Sequence, residues 1–148
     1  MLRYAFNIIL NGEDVAAMLR LTDIRTCWEQ IRPGLEIEKA KCHSDWRPED
    51  VYKLCVDGRW SLFTDDGTDG FVMMSQYTCP FTGCIRLVLE AGYYHGEVPV
   101  FEAYGAALDE MARDVGASEI EIQSCRRGFE KLGWRPMGIW YRREVSHG

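Results

Sequence analysis

Residues 84–124 read CIRLVLEAGYYHGEVPVFEAYGAALDEMARDVGASEIEIQS, and their pattern decides the architecture. Cys84 to Glu90 is β-branched and apolar enough to lie centrally in a sheet. Val98 to Val115 carries the clearest helical periodicity in the chain. Phe101, Tyr104, Leu108, Met111 and Val115 step by three and four and form one apolar stripe. Pro99 suits the first turn, Glu102 complements the dipole there, and Gly116 is a fitting stop. Ser118 to Ser124 then alternates, with Ile120 and Ile122 inward and Glu119, Glu121 and Gln123 outward. A strand, a helix and a strand in this order imply one parallel, right-handed crossover.

Working upstream, Trp60–Thr64 and Phe71–Tyr77 read as two further strands. The turns Asp65-Asp66-Gly67 and Cys79–Gly83 connect them to Cys84–Glu90 as an antiparallel meander. Pro48 opens a short helix with Val51, Leu54 and Cys55 as its buried stripe, closed by Gly58. Thr22 and Asp23 are N-cap candidates for a helix carrying Ile24, Cys27, Trp28 and Ile31. Pro33-Gly34 is expected to interrupt that helix, with Leu35 to Cys42 continuing in a new direction. Leu19–Leu21 alternates like a short strand. Residues 1–14 form either a strand ending at Asn11-Gly12 or an extension, so 1–17 reads as an N-terminal extension or first strand and 18–148 as one domain. Downstream, Ser124 is suited to cap a short helix through Leu132, ended by Gly133, and Met137 to Val145 reads as a closing strand. The class is α+β, with a mixed, mostly antiparallel sheet flanked by helices.

Composition narrows the function. Hydrophobic residues make up 47% of the 148 and charged residues 27%, the balance of a folded domain. The formal charge of −6 argues against nucleic acid, whose binding needs clustered Lys and Arg. No apolar run approaches the roughly 20 residues of a membrane helix. The six cysteines, Cys27, Cys42, Cys55, Cys79, Cys84 and Cys125, show no CxxC spacing, which favours scattered reduced thiols of a cytoplasmic protein over a metal site. Trp28, Trp46, Trp60, Trp134 and Trp140 read as core or interface anchors.

The element order, together with EIEIQSCRRGFEKLGWRPMGIWYRREV at Glu119–Val145, resembles the GNAT (GCN5-related N-acetyltransferase) superfamily. That stretch is similar to the family's strand, short helix, Leu-Gly-aromatic turn and final strand, here Leu132-Gly133-Trp134 with Tyr141 downstream. Leu19–Ala40 and Trp46–Phe63 also resemble GNAT-like proteins encoded by tailed phages and prophages. The resemblance covers roughly residues 18–145. It implies a splayed pair of central strands that admits acetyl-CoA or another acyl-CoA, and an amine acceptor on a small molecule or a protein.

Residue by residue, the resemblance implies backbone contacts to the thioester near Val88, Leu89 and Glu90, and a diphosphate site at the start of the long helix. The family's Gln or Arg, Gly and Gly or Ala fall here on Val100, Ala103 and Gly105, of which Gly105 matches; Tyr104 lies between them. Glu102 places a carboxylate where the diphosphate would sit. The Gly92–Gly96 turn offers a substitute anion cradle. The tyrosine that protonates the leaving thiolate in many members is replaced by Phe129, which has no proton to give. The cofactor-contacting asparagine is replaced by Ser124 or Cys125. Arg126 and Arg127 are candidates for the 3′-phosphate. Glu90 or His95 would serve as general base. Two functions stay open: an acyl-CoA-dependent N-acyltransferase with eroded motifs, and a non-catalytic GNAT-like module that contacts a protein partner; under either, the chain is a candidate homo-oligomer of the cytoplasm, or of host cytoplasm or a virion if phage-encoded.

Overall fold

Phe71, Val72, Met73 and Met74 are all buried, which requires cover on both faces of their strand. In the computed structural model that strand, β4 (Phe71–Thr78), lies inside a six-stranded sheet. The structure describes residues 2–10, 13–42, 44–94, 100–123, 129–138 and 141–146. The strands are β1 (Arg3–Leu10), β2 (Glu13–Leu21), β3 (Ser61–Asp65), β4, β5 (Ile85–Tyr93) and β6 (Ala117–Ile122), and they lie side by side in chain order. Every pairing is antiparallel except β5 with β6. The expected meander and the single parallel crossover are both present.

Helices cover the two faces separately. Toward one face lie α1 (Trp28–Cys42) and α2 (Pro48–Val56), whose Ile31, Leu35 and Val51 pack with Leu62, Phe71, Met73 and Ala91. Toward the other lie α3 (Val100–Ala103) and α4 (Gly105–Val115). Ala107, Leu108 and Met111 of α4, with Tyr104 at the junction of the two helices, pack with Phe6, Leu19, Val72, Met74 and Leu89. Each fully buried Leu or Met contributes ~2 kcal/mol relative to exposure. The N-terminal hairpin therefore builds part of the second core, since Tyr4 and Phe6 of β1 are buried there.

Local signals behave as their chemistry requires. Asp23 caps a 3₁₀ turn at Ile24–Thr26 by accepting the Arg25 N–H at 3.0 Å. Pro48 occupies the first turn of α2, and Asp50 accepts the Arg47 N–H at 2.9 Å. Gly116 adopts φ +72 and ends α4 with its N–H on Ala112 and Arg113.

Three expectations are corrected. Pro33-Gly34 does not divide the first helix: Trp28–Cys42 is one helix with Pro33 inside it. Pro33 removes one hydrogen bond, but burial of Ile31 and Leu35 on the sheet holds the helix on either side. Gly34 has a packing role, because a Cβ there would lie 2.7 Å from Phe71 Cε1 and 2.9 Å from Tyr93 Cδ1. Second, the stripe expected as one helix over Val98–Val115 is interrupted at Tyr104, which has φ −103 and ψ 9. The Tyr104 hydroxyl donates to the buried Asp65 at 3.0 Å, and this side-chain anchor fixes the junction. Residues 98 and 99 lie outside the described residues. Third, the closing strand expected at Met137–Val145 is not part of the sheet at its described positions. Met137, Tyr141 and Val145 are 74%, 86% and 68% exposed, and Arg142 instead meets Asp45 at 3.2 Å. β-propensity gains nothing without a partner ladder and a face to cover. Of the short helix expected from Ser124 through Leu132, residues 124–128 lie outside the described residues, and Phe129–Leu132 is a 3₁₀ turn followed by Gly133 at φ +85.

Candidate functional site

Strand β5 changes its allegiance part-way along. Leu87 and Leu89 belong to the core under α4, whereas Ala91 belongs to the core under α1. In a regular strand residues 87, 89 and 91 would share one face. The register explains the switch: Met74 pairs with Leu89 and Met73 pairs with Ala91, leaving Glu90 as an extra residue. Glu90 is thus a β-bulge, which re-aims side chains and leaves backbone polar groups out of the ladder.

On the other side of β5 the parallel ladder to β6 ends at Leu89–Ile122, one residue before the bulge, while β5 runs on to Tyr93. A cleft of about 70 Å³ occupies this place. Its walls are Leu89, Glu90 and Gly92 of β5, Val100 and Phe101 of α3, and Ile122 and Gln123 at the end of β6. Glu38, Cys42, Ser44 and Trp46, from the end of α1 and the segment after it, close the remaining side. The volume holds roughly two waters, enough for the reacting end of a ligand. Gly92 matters here: a Cβ would lie 3.2 Å from Val100 Cγ2, so glycine lets α3 approach the strand. A wider surface groove of about 390 Å³, lined by Arg25, Trp28, Glu49 and Tyr52, lies along the helices and contains no residue of β5 or β6.

Three arrangements hold the walls in place. The Ser75 hydroxyl donates to Glu90 Oε1 at 2.8 Å, fixing the carboxylate on the bulge. Lys39 Nζ donates to the carbonyls of Ser44 at 3.2 Å and Trp46 at 2.5 Å and sits 5.9 Å from the Trp46 ring centre. Lys39 thereby ties the segment bearing Trp46 back onto α1. Phe101 stacks on Phe129 with ring centres 4.1 Å apart, and Trp134 meets both rings edge-on. The Leu-Gly-Trp turn therefore supports the α3 wall.

The residues expected from sequence distribute unevenly over this geometry. Leu89 and Glu90 line the cleft, and Val88 precedes them on β5. Ala103, Tyr104 and Gly105 form the α3–α4 junction, which is not part of the cleft wall. Tyr104 is fully buried between Phe6 and Tyr94. Burial, with the Asp65 carboxylate beside it, pushes its hydroxyl well above the ordinary tyrosine value, so it remains a donor. A Cβ on Gly105 would meet nothing within 4 Å, so no neighbour requires glycine there. Phe129 stands behind Phe101 rather than in the cleft. His95, Ser124, Cys125, Arg126 and Arg127 lie outside the described residues. Sequence reasoning missed Trp46, Gln123 and Phe101 as wall residues. The one available signal was an aromatic in the polar segment Ser44–Glu49.

Among the described residues no group of three or more His, Cys, Asp or Glu stands close enough to hold a metal ion. No helix among them is long and apolar enough to cross a membrane.

No protein-family model matches the sequence, and no curated protein matches it significantly. Solved structures do match. A possible acetyltransferase from Clostridium difficile 630 superposes with a TM-score of 0.65 at 12% identity, covering 87% of this chain and 97% of the other. The ribosomal-protein-alanine N-acetyltransferase from Brucella melitensis biovar Abortus 2308 gives 0.59 at 16% identity, covering 88% and 98%. An aminoglycoside acetyltransferase from an uncultured soil metagenomic sample, in complex with sisomicin, gives 0.58 at 11% identity, covering 86% and 97%. The fold is that of the GNAT-like acetyltransferases. At these identities the likeness concerns the backbone frame, and the GNAT-like frame here comprises the mixed sheet, its one parallel pair and the flanking helices.

Proposed function

We propose that this GNAT-like chain is an acyl-CoA-dependent N-acyltransferase, acting on an amine of a small molecule or protein. The observation that carries the reading is the coincidence of three features at one point: the end of the β5–β6 ladder, the bulge at Glu90 and the cleft between them. A bulged strand offers backbone groups to a ligand without breaking the sheet. Acyl-CoA would supply the activated thioester. The backbone of Val88–Glu90 would hold and polarise its carbonyl. Glu90, oriented by Ser75, would accept the proton of the attacking amine. Trp46, Val100 and Phe101 would exclude water from the reacting end. Much of the rate would come from positioning, which suits a site where Phe129 supplies no acid.

A second reading is a non-catalytic interaction module of the kind encoded by tailed phages and prophages. Two observations favour it: Phe129 is committed to an aromatic stack, and the exposed Glu102 puts negative charge at the start of the helix pair. Calorimetric titration with acetyl-CoA and with free CoA separates the two. Micromolar binding supports the transferase, whereas no heat at millimolar ligand leaves the module.

A further inference from the structure

The tip of the β4–β5 hairpin places two cysteines opposite each other. The Cys79 N–H donates to the Cys84 carbonyl at 2.8 Å, and the Gly83 N–H donates to the Cys79 carbonyl at 2.8 Å. Gly83 has φ +73. This pair of bonds, with a left-handed glycine, is a G1 bulge in which Cys79 faces Cys84 across the two strands. The ladder continues directly below as Thr78–Ile85. Cys79 and Cys84 share one backbone bond, the Cys84 N–H donating instead to Thr82 Oγ1 at 3.2 Å, and residues so opposed across an antiparallel pair have Cα atoms roughly 4.5–5.5 Å apart. That separation lies inside the range a disulfide spans, about 4.4–6.8 Å.

The chemistry of the two thiols is unequal. The Thr82 hydroxyl, followed by the backbone N–H groups of Phe81 and Thr82, holds the Cys79 thiol below its ordinary pKa, and Arg86 adds to the effect. Cys84 is exposed and adjacent. The contrast within the chain is sharp. Burial pushes the Cys27 thiol up and drives Cys55 up to about 12, which makes that neighbouring pair poor nucleophiles at neutral pH.

We propose that Cys79 and Cys84 form an oxidisable dithiol, a modification site at the hairpin tip whose reagent is a hydroperoxide and whose product is an intrachain disulfide. The Cys79 thiolate attacks one peroxide oxygen; the S–O bond forms, the O–O bond breaks, and the departing hydroxide takes a proton to become water. The Cys84 sulfur then attacks the Cys79 sulfenic acid. The S–S bond forms, the S–O bond breaks, and the second hydroxide leaves with the Cys84 proton as water. Two thiols are oxidised to one disulfide and one peroxide is reduced to two waters. The bridge closes a ring at the end of the same hairpin that carries the Glu90 bulge, and it stands independently of the transferase reading.

The test treats the full chain with one equivalent of hydrogen peroxide, then blocks remaining thiols and digests with trypsin without reduction. Residues 60–86 contain both cysteines and no internal Lys or Arg, so the bridge appears as a single peptide lacking two hydrogens. The expected result is that peptide, with Cys27 and Cys55 still alkylatable. In Cys84→Ser, dimedone should label Cys79, whereas in Cys79→Ser peroxide consumption should fall about tenfold. A bridge involving any other cysteine would overturn the proposal. So would equal peroxide reactivity of the two variants, or an unbridged 60–86 peptide after full peroxide consumption.

Discussion

Replacing Gly70 by Ala should be costly for a reason that a second substitution can remove. A Cβ on Gly70 would fall 1.9 Å from the Tyr104 hydroxyl oxygen, and that oxygen is held by its bond to Asp65. Gly70 does not lie among the positive-φ glycines, so Ala suffers no backbone strain there. Removing the hydroxyl alone, in Tyr104→Phe, deletes one hydrogen bond to a buried carboxylate and should cost ~2 kcal/mol. Asp65 keeps its bonds from the Gly67 N–H at 2.9 Å and the Thr68 hydroxyl at 2.8 Å, so the loss stays moderate. For a chain of this length that corresponds to a melting temperature ~4–8 °C lower. Gly70→Ala in the parent chain must expel the hydroxyl from the same bond and crowd a filled core as well, giving ~3–5 kcal/mol in all. In the Tyr104→Phe background the nearest remaining atoms would be Tyr104 Cζ and Thr68 Oγ1, each at 3.1 Å, which need yield by only a few tenths of an ångström. There the cost should be ~1 kcal/mol. Urea denaturation of the four proteins measures the cycle, with an expected coupling of at least ~2 kcal/mol. Additive losses would refute the contact and with it the role of Tyr104 as the anchor between α3 and β3.

Gly34→Ala should destabilise by ~1–2 kcal/mol despite the better helix propensity of Ala, because its Cβ collides with Phe71 and Tyr93. A raised melting temperature would mean that α1 does not approach the sheet as described. Alkaline stability offers a third check. Burial raises Cys55 to about 12, and burial with the Asp114 hydrogen bond raises Tyr4 to about 12, from ordinary values of 9.0 and 10.0. Both folded values exceed the unfolded ones, so the stabilisation is complete below pH 9 and is lost as pH climbs toward 12. Urea midpoints should fall across that window, with the onset moved upward in Cys55→Ala; a flat profile contradicts the burial of both groups. Finally, Glu90→Gln should lower kcat/KM for acyl transfer by about 10²–10⁴ while leaving acetyl-CoA affinity within a factor of about three. Unchanged turnover would remove Glu90 from the proton transfer.

The chain's own periodicities determined a large part of what is seen. The stripe from Phe101 to Met111, the alternation of Ile120 and Ile122, and the turns at Asp66-Gly67 and Gly116 are written within a few residues of where they act. Short-range signals of this kind specify an element's type, and an unbroken meander with one crossover then follows from connection lengths. Glu90 and Leu89 were legible as residues of the central strand, although Glu90 was expected at its end and β5 runs on to Tyr93. The bulge that sets Glu90 in the cleft wall was not, because an extra residue in β5 is defined only against its partner β4. The same holds for Trp46 and Phe101, brought to one cleft from segments more than fifty residues apart. Pro33 within α1 and the exposed Met137, Tyr141 and Val145 teach the converse. Helix-breaking and strand-forming propensities, worth about 1–3 kcal/mol, yield to the burial available at a given place. Local patterning was settled by the sequence alone; register, and hence which residues meet at the end of the β5–β6 ladder, depends on summed packing between distant segments and was decided by the tertiary structure.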